Sequence, residues 1–296
     1  MRISGVHGSP PPATTKVCLN AFGGFRNSVE FVLTGLDIEE KAAWVRGQIE
    51  EALAANPPAE IVWDLMRTDR PDPATQPQSA ALLRCHVKDA DQNKVGRAFS
   101  GAAVEVGLAS YPGFTLTAPP GRGAPYGIYR AGYVPQADVP HVVVHHDGSR
   151  TQIDPPSHFC DELALDQAAT GPSRHESDGG AARELPFGRL VHARSGDKGG
   201  NANVGVWIPA NHPRRDEAAA WLASFLTPER VKELLPEAAD LQVDVHPLPN
   251  LAGVNVILHG LLGEGVASST RFDPQAKAVG EWLRARVVSI PEELLA

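Results

Sequence analysis

An aperiodic acidic stretch divides this chain of 296 residues. Over residues 155–184 it carries Asp161, Glu162, Asp166, Glu176, Asp178 and Glu184 against Arg174 and Arg183, and its run TGPSRHESDGGAAR shows no apolar period. A segment of that composition buries too little apolar surface to offset the entropy of ordering it, and such segments commonly join domains. The flanks are each long enough for a core of their own. The expected division is a first domain over 1–154, an acidic flexible linker over 155–184 and a second domain over 185–296, with a short helical turn over 161–169 inside the linker.

Before the linker, the apolar period alternates between the two of a strand and the 3.6 of a helix. Residues 15–20 and 29–34 read as strands. Ile38, Ala42, Val45, Ile49 and Leu53 then recur at spacings of three and four, which puts them on one helix face; Asp37 and Glu40 have the spacing of a capping box, and Asn56-Pro57-Pro58 stops the helix. Strands follow over 61–66 and 82–87. A second amphipathic helix places Val95, Phe99, Ala102, Val106 and Ala109 on one face and ends at Tyr111-Pro112-Gly113. Further strands are expected over 114–117, 127–131 and 141–146, the last turning at Asp147-Gly148 into 150–153. The middle elements have the order β-α-β-β-α-β. That split arrangement makes an antiparallel sheet with both helices on one face.

After the linker, strands are expected over 189–193 and 203–207, flanking a glycine-rich loop. Asp216 caps a helix carrying Ala218, Trp221, Leu222 and Phe225, and Thr227-Pro228 opens another. Strands over 241–246 and 254–259 come next, and Asp273-Pro274 opens a last helix with Ala278, Val279, Trp282 and Leu283 facing inward. The fold class is therefore α+β: two mixed domains, each a mostly antiparallel sheet with helices on one face.

The charge balance narrows the partners. Lys and Arg number 27 against 35 Asp and Glu, a formal net charge of −8, so the chain lacks the basic footprint of nucleic-acid or anionic-membrane binding. No run approaches the roughly 18 apolar residues of a membrane span, and the first residues, MRISG, lack the apolar core of a signal peptide. A cytoplasmic protein is expected. Cys18, Cys85 and Cys160 are odd in number and widely spaced, which writes neither a disulfide framework nor a zinc site. His141, His145, His146 and Asp147 fall at an expected hairpin turn with no further ligand specified, so no metal and no cofactor are expected.

The segment richest in chemistry is HARSGDKGGNANVG, residues 192–205. Gly196, Gly199 and Gly200 let backbone approach a ligand closely, Arg194 and Lys198 add positive charge, and Asn201 and Asn203 add amide donors. That set suits an anion such as a phosphate, a carboxylate or a thioester oxygen, although ordinary hairpin turns use the same residues. Ser195 and Lys198 have S-x-x-K spacing, but the glycines argue against the helix that this chemistry needs. Arg67-Thr68-Asp69-Arg70-Pro71 follows an expected strand, where loops often place functional groups, and Asp69 and Arg70 suit either an ion pair or a substrate. Arg26 and Asn27 follow Gly23-Gly24, and Arg26 suits a carboxylate or phosphate. The run GLLGEGVASST, residues 260–270, suits a polar pocket or the approach to a helix.

Three pairs of strings go further together: SPPPATTKV with AFGGFRNSVEFVLTGLDIEEKAA, RTDRPDPAT with KVGRAFSGAAVEVGLASYPGF, and HARSGDKGGNANVGVW with GEGVASSTRFDPQAKAVGEWLRARVVSIPEELL. The chain resembles the acyclic terpene utilisation protein AtuA family over nearly its whole length apart from the linker. The resemblance implies a ferredoxin-like C-terminal domain and a bacterial cytoplasmic role in acyclic terpene breakdown, such as citronellol or geraniol catabolism through branched acyl-CoA intermediates. It also implies a further large N-terminal α/β region ahead of the point matching Gly5. By position, Arg194, Ser195, Gly196, Asp197, Lys198, Gly199, Asn201 and Asn203 match the family's C-terminal motif, and Arg26, Asn27, Thr68, Asp69 and Arg70 match its central ones.

With the anion-suited loop, this points to a lyase or hydratase acting on a branched unsaturated acyl-CoA or its acid. Lys198 would hold an oxyanion, and Asp197 or Asp69 would serve as acid or base. The alternative is a non-catalytic subunit that completes a partner carrying the N-terminal region. Open antiparallel edges also make a homo-oligomer an expected state.

Overall fold

The computed structural model describes residues 8, 10–108, 110–160 and 181–295. It divides into two compact units, Ala21–Ile128 and a second formed by Met1–Asn20 with Tyr129–Ala296. Residues 161–180 of the expected linker, and the helical turn expected there, lie outside the described residues. No described helix is long and apolar enough to cross a membrane.

In the Ala21–Ile128 unit the strands are β1 (Thr14–Thr34, its first part belonging to the other unit), β2 (Glu60–Met66), β3 (Ala80–Asp89), β4 (Thr115–Leu116) and β5 (Ala124–Pro135), with helices α1 (Ile38–Leu53) and α2 (Phe99–Glu105). The sheet order is β2-β3-β1-β4, with β5 also paired to β1. The register runs antiparallel throughout β1–β3 and β2–β3, with Val29 opposite Cys85 and Trp63 opposite Cys85. This is the split order expected from the β-α-β-β-α-β pattern. Its cause is the period of two: Val29, Phe31 and Leu33 of β1 and Leu83, Cys85 and Val87 of β3 all turn to one face and are buried against Ile38, Ala42, Val45 and Ile49 of α1 and Phe99 and Ala103 of α2. Phe31 is fully buried, and truncating such a side chain to alanine costs about 3–5 kcal/mol.

Two local expectations fail here. The Gly23-Gly24 segment lies within β1, which runs unbroken where two strands and a loop were expected; a Cβ at Gly23 would stand 2.5 Å from the Tyr126 ring, and Gly24 has φ +111° against Asp89. The glycines therefore serve close packing inside a strand. Asp37 sits in the left-handed region at φ 58° and makes no side-chain cap bond, so the capping box does not form even though the helix starts where expected.

The second unit contains β6 (His141–Val144), β7 (Arg150–Ile153), β8 (Ala182–Pro186), β9 (His192–Lys198), β10 (Asn201–Trp207), α3 (Arg215–Phe225), α4 (Pro228–Leu234), β11 (Val243–Leu248), β12 (Gly253–Leu258), α5 (Val279–Ala285) and β13 (Val287–Pro291). Its main sheet has the order β11-β12-β10-β9. Ala202, Val204 and Val206 of β10 and Val254, Val256 and Leu258 of β12 are buried against Ala218 and Leu222 of α3, Val231 of α4 and Val279 and Leu283 of α5. Trp221 stacks on Phe225 at 4.6 Å and meets the buried Phe187 edge-on. The place beside β10 is taken by β9, and the final strand β13 pairs with β8 in a separate two-stranded sheet. β9 wins that edge because a two-residue turn delivers it directly onto β10, whereas β13 arrives only after α5.

Helix ends are partly as read. Thr227 Oγ1 accepts from the Arg230 amide at 3.2 Å with Pro228 following, the expected cap. Asp273 accepts from the Lys277 and Ala278 amides at 2.9 and 2.7 Å and so caps the turn leading into α5. Asp216 lies in the first turn of α3 and makes no cap.

Candidate functional site

The glycine-rich segment is a tight hairpin. β9 continues through Ser195, Gly196 and Asp197 to Lys198, which pairs with Asn201, so only Gly199 and Gly200 turn. The expectation of a wide loop over 194–202 is corrected: no proline interrupts the segment, and adjacent glycines make a two-residue turn sufficient. Gly199 has φ +65°, and a Cβ there would stand 2.7 Å from Tyr129; one on Gly200 would collide with the Gly263 carbonyl oxygen. The Leu262 amide donates to the Gly200 carbonyl at 2.9 Å, and Asn201 Oδ1 accepts from the Gly260 amide at 2.9 Å. The hairpin tip and the GLLGEG loop thus interlock backbone to backbone, which absorbs much of the glycine signal into packing.

Strand alternation then sorts the residues of the motif onto two faces. Ser195 and Asp197 turn toward α5. Ser195 is buried, donates to the Lys277 carbonyl at 3.2 Å and accepts from the Gly280 amide at 2.9 Å, so its hydroxyl pins the start of α5. Asp197 lies 3.4 Å from Lys277 Nζ. Arg194, Gly196, Lys198, Asn201 and Asn203 lie on the opposite face, with Lys198 Nζ donating to the Asp197 carbonyl at 3.0 Å. Asn203 donates to Asn255 Oδ1 of β12, and His259 Nε2 lies 2.7 Å from Asp244, whose carboxyl it holds below the usual range. Further along this face Gly205, Trp207, Leu248, Leu251, Gly253 and Arg215 line an apolar hollow of about 440 Å³.

The central motif residues are also tied into the fold. Thr68 Oγ1 donates to the Ala80 carbonyl at 2.6 Å. Arg67 grips Asp69 through two bonds of 2.7 and 2.8 Å and reaches Glu39 at 2.7 Å, which holds the Asp69 carboxyl low and makes it a weak base. Arg70 is exposed, its amide donating to the Gln78 carbonyl. Asn27 turns to the helix side of its sheet, where its amide donates to the Val95 and Gly121 carbonyls at 2.8 and 2.9 Å.

Arg26 turns the other way, onto the helix-free face of the β2-β3-β1-β4 sheet, and there the structure assembles a group that the motif reading missed. Arg26 lies opposite Lys88, Ser28 opposite His86 and Glu30 opposite Arg84; across β3, Glu60, Val62 and Asp64 of β2 complete the rows. Arg84 donates to Glu30 at 2.6 Å with both side chains only 20% exposed. Lys88 is nearly buried, 3.1 Å from Glu60 and 5.6 Å from the centre of the Tyr126 ring. His86 stands between them, its Nε2 buried with no hydrogen-bond partner. Burial, then the positive charges of Arg84, Arg26 and Lys88, push its pKa down to about 4, so the imidazole is neutral at pH 7. The signal is present in LLRCHVKD: Arg84, His86 and Lys88 alternate at a period of two with the apolar Leu83, Cys85 and Val87. A neutral imidazole held among three cations keeps its lone pair at pH 7 and is a weak base, while those cations can stabilise a developing negative charge that would draw the proton onto it. No cluster of three or more His, Cys, Asp or Glu side chains among the described residues is placed to hold a metal.

Comparison with known families matches residues 1–145 to the Acyclic terpene utilisation family protein AtuA and residues 185–289 to the AtuA ferredoxin-like domain. Comparison with curated proteins and with solved structures gives no match. The two family regions follow one another in order and cover both sheets with their helices. The chain belongs to the AtuA family of acyclic terpene utilisation proteins.

Proposed function

We propose that this chain carries out a lyase- or hydratase-type step on a branched unsaturated acyl-CoA or its acid, within acyclic terpene utilisation. The observation that carries the reading is the neutral His86 among Arg26, Arg84 and Lys88. In a hydration, water adds across the conjugated double bond: His86 accepts one proton of the attacking water as its oxygen bonds to the β-carbon, the cations hold the enolate oxygen, and the imidazolium then returns that proton to the α-carbon. The cytoplasm is the compartment in which such a thioester would be met.

The test is turnover of a geranyl-type thioester, followed by loss of the ultraviolet absorbance of its conjugated enoyl group. His86→Gln should lower turnover by about a hundredfold or more while the fold is retained. Lys198→Ala is the opposing arm. Abolished turnover in that variant with full turnover in His86→Gln would move the chemistry to the hairpin, with Asp197 or Asp69 as its acid or base.

A second reading, a subunit that completes a partner or pairs with its own copy, is favoured by the β6–β7 hairpin, where Val142, Val143, Val144 and Ile153 are all exposed. It requires that the wild-type chain leave the thioester unchanged alone and turn it over once a chain carrying the family's N-terminal region is added.

A further inference from the structure

On the helix side of the β2-β3-β1-β4 sheet lies a hollow of about 500 Å³, separate from the charged face that carries His86. Its walls are the turn from Gln92 to Ser100, where π spacing over Lys94–Ala98 gives way to α2, and the loop Pro120-Gly121-Arg122-Gly123. The two walls are stapled together. Asn27 donates to Val95 and Gly121 at once, the Ser100 hydroxyl donates to the Gly121 carbonyl at 2.8 Å, and Gln92 Nε2 donates to the Gly123 carbonyl at 2.8 Å. Gly123 allows the closure, since a Cβ there would meet the Val95 side chain at 2.8 Å. Asn27 is thus a positioning residue for this hollow.

The charge in it is one-sided. Arg97 and Arg122 both line it, no carboxylate does, and neither guanidinium is in an ion pair with a described residue. Asn93 and Gln92 each spend one amide N–H on Asp91 and Gly123 and keep a second. In a chain of net charge −8, two arginines at one hollow with no carboxylate in its lining make a local positive field that draws an anion. Two guanidinium forks of N–H donors match the charge and the several acceptor oxygens of a phosphoryl group better than the two oxygens of a carboxylate.

We infer that this hollow binds a phosphoryl group, gripped by Arg97 and Arg122 with the amides of Asn93 and Gln92 at its rim. The inference stands apart from the reaction assigned to His86, because it concerns binding on the opposite side of the sheet. The phosphoryl group belongs either to a free inorganic anion or to a larger phosphate ester, and the probes separate these.

Calorimetric titration of the full chain with inorganic diphosphate and with adenosine 3′,5′-bisphosphate, with citrate as the carboxylate control, tests it. Saturable binding of a phosphoryl probe is expected, weaker at high salt, and reduced about tenfold or more by either Arg97→Met or Arg122→Met. Arg150→Met, on β7 in the other unit, should leave it unchanged. Tighter binding of the bisphosphate than of diphosphate identifies a larger ester, and equal binding identifies the free anion. Because both arginines are exposed, their variants keep the wild-type melting temperature. No saturable binding of either phosphoryl probe, undiminished binding in both arginine variants, or citrate bound as tightly as diphosphate would overturn the inference. None of these outcomes depends on turnover, so failure here and failure of the His86 reading are told apart.

Discussion

The two main sheets of this protein differ most on the faces that carry no helices. Both bury one face of alternating apolar residues under helices, and both have an order that brings sequence-distant strands side by side. Yet one helix-free face packs Arg26, Glu30, Glu60, Arg84, His86 and Lys88 into a partly buried charged group, while the other spreads Arg194, Lys198 and the Asp244–His259 pair around an asparagine pair, glycines and Trp207. The difference teaches that the core face specifies the architecture and leaves the opposite face free to be chosen for chemistry, because alternation in a strand makes the two independent. It also places the strongly shifted histidine in the Ala21–Ile128 unit and the interlocked glycine hairpin in the other.

Breaking the packed hairpin should have the largest effect. Gly200→Ala forces a Cβ into the Gly263 carbonyl and should cost about 3 kcal/mol, read as a lowered denaturation midpoint. Gly121→Ala, where nothing lies within 4 Å of the added Cβ, should be nearly neutral. Equal costs at the two positions would mean that the hairpin tip is not interlocked.

Acid should act first through the charged face. An unfolded histidine titrates near 6.5 and His86 in the fold at about 4, so between these values the unfolded chain binds the proton first. Stability therefore falls as the pH drops from about 6.5 to about 4. The part due to His86 is about 1–2 kcal/mol, less than the full shift implies because the half-buried ring keeps some hydration. His86→Gln should flatten that stretch of the stability profile; an unchanged profile would show that other groups dominate it.

The Arg84–Glu30 pair is partly buried, and Glu30→Gln should cost about 1 kcal/mol in urea unfolding, with weak salt dependence. Asp69→Asn, at a more exposed pair, should have the smallest effect. Since Arg67 holds the Asp69 carboxyl below its usual range, its stabilisation is complete above the ordinary carboxylate pKa and is lost only as the pH falls through the lowered one. A loss already visible near neutral pH would assign the effect to another group.

Much of this was legible along the chain. The stripes Ile38-Ala42-Val45-Ile49-Leu53 and Val95-Phe99-Ala102-Val106 are buried as their spacing requires, and the split strand order followed from the order of elements. By spacing alone Gly23-Gly24 falls between two strands and Gly196 to Gly200 in a loop, because glycine marks a turn and a close approach with the same letter. Only a neighbour in space, Tyr126 for Gly23 and Gly263 for Gly200, tells these apart. Ser195 likewise reads as a candidate ligand until the Gly280 amide is seen to occupy it.

Local spacing by itself determined the helices, the strands and their inward faces, since burial follows periods of 3.6 and 2 that need no knowledge of partners. It also determined the family, through strings long enough to be specific. Tertiary structure alone decided that β9 and not β13 flanks β10, that Asn27 clamps a hollow while Arg26 faces His86, and that His86 is neutral. The reason is common to all three: edge competition, side-chain hydrogen bonds and desolvation depend on groups brought together from distant parts of the chain, and no local spacing encodes them.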